Sequence, residues 1–268
     1  PREVALCKLG ASDRDGDGLC DAAEQRYRTL ADDADTDGDA ISDRIEIYGE
    51  ALPDGSAFSP EAYGASPGHR DIFVYVNWTD RWPAKQAALD MVVAAFQRAP
   101  GKNPDGTTGI QLHFNLGGEI TYADDLPYTE EGLTPLRNQH LPWKVSFPLH
   151  YLIFSDHLQE RDASGVSPSI PGLNFVVTPK LVENLTLLGE AGTIMHELGH
   201  NLGLKHGGND DENFKPNYMS VMNYLYQFDG LQQSDGDAAP RVLDFTRFAT
   251  AAVDERRLDA VVGFATHG

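Results

Sequence analysis

The sequence predicts an α/β fold (α+β in detail), with one large mixed domain preceded by a small acidic module. Three observations carry this. A β-branched and aromatic run at 71–78 is followed by a helical apolar stripe over 84–98. An alternating stretch at 110–116 and short apolar runs at 150–154 and 173–178 come next, and a helix with two histidines four apart follows them. Ahead of all this, an acidic pattern occurs twice within residues 13–46.

The acidic pattern comes first in the chain. Asp13, Asp15, Asp17, Asp21 and Glu24 align without gaps on Asp35, Asp37, Asp39, Asp43 and Glu46, 22 residues on. These are positions 1, 3, 5, 9 and 12 of an EF-hand-type calcium loop, in which position 12 binds through both oxygens. Position 7 offers a backbone carbonyl, here from Leu19 and Ile41. Gly18 fills the turn position of the first loop; Ala40 stands there in the second, where a left-handed backbone strains an L residue. Ala22–Leu30 reads as an exiting helix, but no amphipathic helix precedes Asp13, so these are not full EF-hands. So many carboxylates in register repel one another unless a cation joins them. The repeat resembles thrombospondin type 3 repeats and the acidic calcium repeats of secreted bacterial proteins. That resemblance implies two structural Ca2+ ions and a calcium-rich compartment.

Residues 51–69 are rich in Ala, Pro, Gly and Ser and read as a linker or wrapping segment between a module at 1–50 and a catalytic domain at 70–268. Asp71–Trp78 is a strand, and Pro83 can open the helix Ala84–Arg98, whose stripe is Ala87, Ala88, Met91, Val92, Ala95 and Phe96. Asn103–Gly106 is a turn, and Ile110–Leu116 a second strand. His150–Phe154 and Leu173–Thr178 follow as strands, with 117–148 and 156–170 irregular. The helix Glu183–Leu202 turns Ile194, Leu198 and Leu202 away from its histidines.

The chemistry lies in His196-Glu197-Leu198-Gly199-His200-Asn201-Leu202-Gly203-Leu204-Lys205-His206, the pattern H-E-x-x-H-x-x-G-x-x-H. Residues four apart share a helix face, so His196 and His200 can point two imidazoles at one ion. Glu197 lies about 100° round the helix, off the ion but near water on it. Gly203 can end the helix in a left-handed turn, and His206 can then return as third ligand. Three protein ligands leave a fourth position open, as in catalytic Zn2+ sites.

This motif resembles that of the metzincin zinc proteases, and Ser220-Val221-Met222-Asn223-Tyr224 resembles their methionine turn, with Met222 as the apolar floor. The resemblance implies a twisted, mostly parallel sheet with a backing helix and an active-site helix. It also implies peptide-bond hydrolysis by zinc-activated water, with Glu197 as general base and acid. In astacin-like and serralysin-like members a tyrosine placed like Tyr224 reaches the zinc or the oxyanion.

Composition narrows the setting. A net charge of −20 disfavours nucleic acid and anionic membranes as partners. Residues 1–50 hold 14 acidic against 6 basic side chains, a net of −8. No apolar run is long enough to span a membrane. The chain starts at Pro1 without a basic-then-apolar signal, which reads as a mature form. Cys7 and Cys20 would close a short loop in an oxidising compartment, or stand as two thiols. The sequons at Asn77 and Asn184 lie in or beside regular elements. His69, His113, His140, His150, His157 and His267 lack ligand spacing. The expectation is a secreted, monomeric zinc endopeptidase acting on protein or peptide. Two readings stay open beside it: a hydrolase of a non-protein amide such as peptidoglycan, and a calcium-dependent adhesion protein with an inactive domain.

Overall fold

A computed structural model describes residues 11–79, 86–122, 125–156, 158–159, 163–178, 186–232 and 240–247. Cys7, Pro83, His157, Asn184 and His267 lie outside them. The described helices are α1 (Asp21–Tyr27), α2 (Asp43–Tyr48), α3 (Gln86–Gln97), α4 (Glu130–His140) and α5 (Leu187–Asn201). The strands are β1 (Glu50–Ala51), β2 (Ala57–Phe58), β3 (Asp71–Trp78), β4 (Gln111–Glu119), β5 (Leu149–Phe154), β6 (Gly165–Val166), β7 (Asn174–Val177), β8 (Leu231–Gln232) and β9 (Arg241–Val242).

The fold is mixed α/β around a five-stranded sheet in the order β4-β3-β5-β7-β6. β3 runs parallel to β4 and β5, and β5 parallel to β7; only the edge strand β6 is antiparallel. Side chains alternate across a strand. Val74, Val76, Leu152, Phe154, Phe175 and Val177 therefore share one face and pack under α3 and α5. Phe73, Tyr75, Tyr151, Ile153 and Val176 share the other, beneath Leu133 and Leu136 of α4. With both faces covered, the central strands read as near-continuous apolar runs, which is how the sequence betrays them. Asn77 breaks the run for a reason: its amide donates to Gly118 O at 2.8 Å and accepts from the Tyr151 hydroxyl at 2.9 Å. At 2% exposure it offers no glycan acceptor.

The acidic segment divides its packing. Leu19 and Ala23 pair with Ile47 in a small core of their own, flanked by Tyr27 and Tyr48 edge to face. Ile41 joins the main core on the α4 face. Residues 51–69 wrap the same face: Phe58 is 2% exposed and packs edge-on to Phe73 and tilted against Trp143 and Phe147. Burying such a side chain contributes about 1.5–3 kcal/mol.

Two segments expected to be irregular are not. Residues 117–148 contain α4, whose Pro135 lies inside the helix and hides it from pattern reading. Its Thr129 cap accepts from Gly132 N, and Asn174 of β7 donates to its Glu130. Residues 156–170 contain β6, too short for a periodicity.

α5 approaches its neighbour closely at Gly192, where a methyl group would lie 1.8 Å from Gln227 O. Ala would gain about 1 kcal/mol of helix propensity. Driving a methyl into a main-chain oxygen costs more, about 3 kcal/mol or above. Gly192→Ala is therefore expected to lower the melting temperature by about 4–8 °C in a calorimetric scan. An unchanged or higher value would refute the close approach.

Candidate metal centre

α5 starts at the cap Thr186, whose hydroxyl accepts from Gly189 N at 3.2 Å, and it is buried from Gly189 to Asn201. His196 and His200 are 1% and 5% exposed on its inner face. The helix stops at Gly203, φ +95°, whose N–H bonds His200 O while Leu204 N bonds Gly199 O. That reversal swings His206 back: its ring lies 5.3 Å from the His196 ring and 4.8 Å from the His200 ring. One ring nitrogen from each of the three converges within 4.8 Å.

The imidazole tautomers follow from their partners. His196 Nδ1 sits 2.8 Å from Val221 O, and His200 Nδ1 2.8 Å from Leu204 O. A carbonyl only accepts, so each Nδ1 carries the proton and each Nε2 presents a lone pair. The two Nε2 atoms face each other at 3.1 Å. Burial holds His196 down to about 3 and lowers His200 and His206, so a proton does not fill the gap near neutral pH. A tetrahedral zinc sets its nitrogens about 3.3 Å apart. The donor set, its spacing and its carbonyl-anchored far nitrogens all fit that ion.

Around the triad stand the other expected residues. Glu197 is 4% exposed, and a methyl group at Gly165 of β6 would lie 2.7 Å from its Oε1. The carboxylate thus rests against the bare backbone of the edge strand. Met222 is fully buried, and a methyl at Gly199 would lie 2.4 Å from its Sδ, which puts the thioether against the histidine helix. The Tyr224 ring lies 4.8 Å from that of His206 and 5.5 Å from that of His196.

Sequence reading missed the groups that hold these in place. Asn213 Oδ1 accepts from Tyr224 N at 3.0 Å. Asn223 Nδ2 donates to Lys215 O and Tyr218 O, tying the loop after His206 to the turn at Met222. Asn201 bridges α5 to Ser167 and Asn174 O. Asn201 and Asn223 lay within the motifs, at positions the motifs leave open, and Asn213 lay outside them.

The acidic loops form a second kind of centre. In both, one oxygen of the first three aspartates accepts a loop N–H: Gly16, Asp17 and Leu19 donate to Asp13, Asp15 and Asp17, and Gly38, Asp39 and Ile41 to Asp35, Asp37 and Asp39. Carboxylate oxygens of Asp13, Asp15 and Asp17 converge, as do those of Asp35, Asp37 and Asp39. Glu24 and Glu46 are 0% and 1% exposed, and neither has a hydrogen-bond partner on either oxygen. Asp21 and Asp43 turn elsewhere: each accepts from the N–H of loop position 2, Arg14 or Thr36, and braces the loop. Ala40 adopts φ +72°, the left-handed conformation that Gly18 takes at +94°. Orphaned buried carboxylates are costly, and oxygen-seeking divalent cations are the ligands that relieve them. Cys20 is disulfide-bonded.

No family model and no curated protein sequence matches the chain. Among solved structures it is similar to metalloproteinase-II from Bacteroides fragilis, at 13% identity and a TM-score of 0.38, over 57% of this chain and 46% of that one. The chain thus spans about half the length of that protein.

Burial and neighbouring carboxylates push Glu46 up to about 10 and Asp37 up to about 8 in the metal-free protein. A carboxyl with a raised folded pKa holds its proton in the fold and releases it on unfolding, so its contribution is complete below the unfolded value and lost as pH rises through the folded one. The buried histidines act oppositely, but below pH about 6.5 only. Between pH 7 and 9.5 the chelated protein should therefore lose melting temperature steadily, and added calcium should flatten the curve. A chelated protein that stabilises over this window would contradict the assignment.

Proposed function

We propose that the chain is a zinc-dependent endopeptidase of the metzincin type, secreted, monomeric and stabilised by calcium in its acidic loops. The observation that carries the reading is the convergence of three imidazoles, two of them, His196 and His200, with their far nitrogens anchored on carbonyls. His196, His200 and His206 would hold the ion, which when bound supplies Lewis-acid polarisation and acidifies water.

The chain's own residues supply the rest. Glu197 follows His196 on α5, and its carboxylate would take a proton from the attacking water. The same carboxylate returns that proton to the leaving nitrogen, which converts a poor leaving group into an amine. Its backing by β6 holds it in line for both transfers. Tyr224 stands beside His196 and His206 and is 44% exposed, so its hydroxyl could donate to the oxyanion that forms on the carbonyl. Edge strand β6 runs beside Glu197, so a peptide laid along it would meet the carboxylate at its scissile bond.

Calcium supports the same setting. The loops resemble extracellular repeats, their buried glutamates lack partners, and Cys20 is oxidised. No described helix is long and apolar enough to cross a membrane.

Glu197→Ala is expected to keep one equivalent of zinc and to lose casein cleavage by roughly 10²–10⁴-fold or more. Normal cleavage by that variant would remove Glu197 from the chemistry. A folded, zinc-loaded parent that leaves casein intact but clears peptidoglycan would replace the peptidase reading with an amidase. Gly165→Ala should lower kcat by about tenfold or more with zinc retained, because the new methyl displaces the carboxylate. An unchanged kcat would show that β6 does not position Glu197.

A further inference from the structure

We propose that the second acidic loop and the first residue of β3 share one divalent-cation site, in which Asp71 is a ligand contributed by the sheet. The proposal rests on reading the loops as calcium loops and adds a residue that lies outside their repeat.

Carboxylate oxygens of Asp39, Glu46 and Asp71 lie within 4.8 Å of one another. Glu46 and Asp71 are each 1% exposed and Asp37 is 3% exposed. Both oxygens of Glu46 and Oδ2 of Asp37 are buried and lack a hydrogen-bond partner. Asp71 is held in register by the loop itself: its N–H donates to Asp39 Oδ2 at 2.7 Å. Its own carboxylate bonds His113 through Oδ1 and accepts from Ser66 N at 3.3 Å through Oδ2. A carboxylate oxygen has two lone pairs, so each can serve a hydrogen bond and a cation together.

Charge counting favours a cation over a proton-only solution. Asp37, Asp39, Glu46 and Asp71 bring four carboxyl groups together, and Asp35 adds a fifth at the loop mouth. His113 is the one basic side chain bonded to any of them among the described residues, and it can neutralise one at most. A divalent ion of flexible geometry takes six to eight oxygens and suits such a set. Among the described residues the first loop's converging group is Asp13, Asp15 and Asp17, with no carboxylate from the sheet. The two loops are therefore unequal, and the second fastens the acidic segment to a strand that pairs on both sides, with β4 and β5.

The test uses the full chain carrying Glu197→Gln, to prevent self-digestion. Calcium titration calorimetry compares this parent with Asp71→Asn and with Asp13→Asn. Asp71→Asn should weaken one binding class by about tenfold or more and spare the other, which Asp13→Asn should weaken instead. Because Asp71→Asn could fail to fold, hydrogen exchange on the parent gives a second measurement. Calcium should slow the amides of 71–73 together with those of 35–46. Calcium affinity unchanged in Asp71→Asn, or protection that stops at residue 46, would overturn the sharing and leave the loop reading intact. No calcium heat and no protection in either loop would overturn both. Zinc content and the peptidase assay are unaffected by either outcome.

Discussion

Two imidazole lone pairs held 3.1 Å apart on the buried face of a helix are the constraint around which the second half of the chain is arranged. Such an arrangement is repulsive without a cation, so something must hold it. Val221 O and Leu204 O do so by fixing which nitrogen is protonated. Those carbonyls are in turn fixed by the Gly203 reversal and by a turn whose residues 220–223 are all buried. Beneath them, α5 presents Ala191, Ile194, Met195 and Leu198 to the sheet. Apolar packing on the sheet supports an unfavourable polar cluster, which is the usual way a fold maintains a prepared site.

What was legible in the sequence was local. His196 and His200 are one helical turn apart, and the glycine that returns His206 lies between the second and third histidines. The carboxylate spacing of the two acidic loops is equally local. So were β3 and β5, because parallel strands covered on both faces leave continuous apolar runs. The mixed fold followed from that, while the mostly parallel sheet was what the resemblance of the histidine motif implied. What the sequence hid depends on contacts between distant residues. Asp71 meets Asp39 across 32 residues and His113 across 42. Gly165 matters because Glu197 lies against it, and nothing near Gly165 announces that. Helix α4 was concealed by Pro135 and β6 by its two-residue length.

The two clusters obey one rule with opposite chemistry. Neutral nitrogens that face each other select a borderline-soft ion and leave a position open for reaction. Carboxylates crowded in a pocket select a hard ion and enclose it. The placement of orphaned atoms follows the same division. At the acidic loops both oxygens of Glu24 and Glu46 are unpartnered, whereas the far nitrogens of His196 and His200 are already satisfied. The first centre is short of cations alone; the second is prepared in advance down to its tautomers.

The sheet separates the two. Period-two alternation sends Val74 and Val76 of β3 toward α3 and α5, and Phe73 and Tyr75 toward Ile41, Phe58 and α4. The acidic loop therefore braces the face opposite the histidine helix. A cation held between that loop and Asp71 would act on the strand's stability without standing in the way of a substrate. Its effect would reach the histidines only through the shared strands, β3 to β5 to β7, and through the cleft that Asp39 and Asp71 line together with His150 and Asn201. The strand route transmits position rather than charge, because apolar side chains of the core lie along it. Calcium would then govern how long the site stays assembled, and the fourth ligand position would govern what it does.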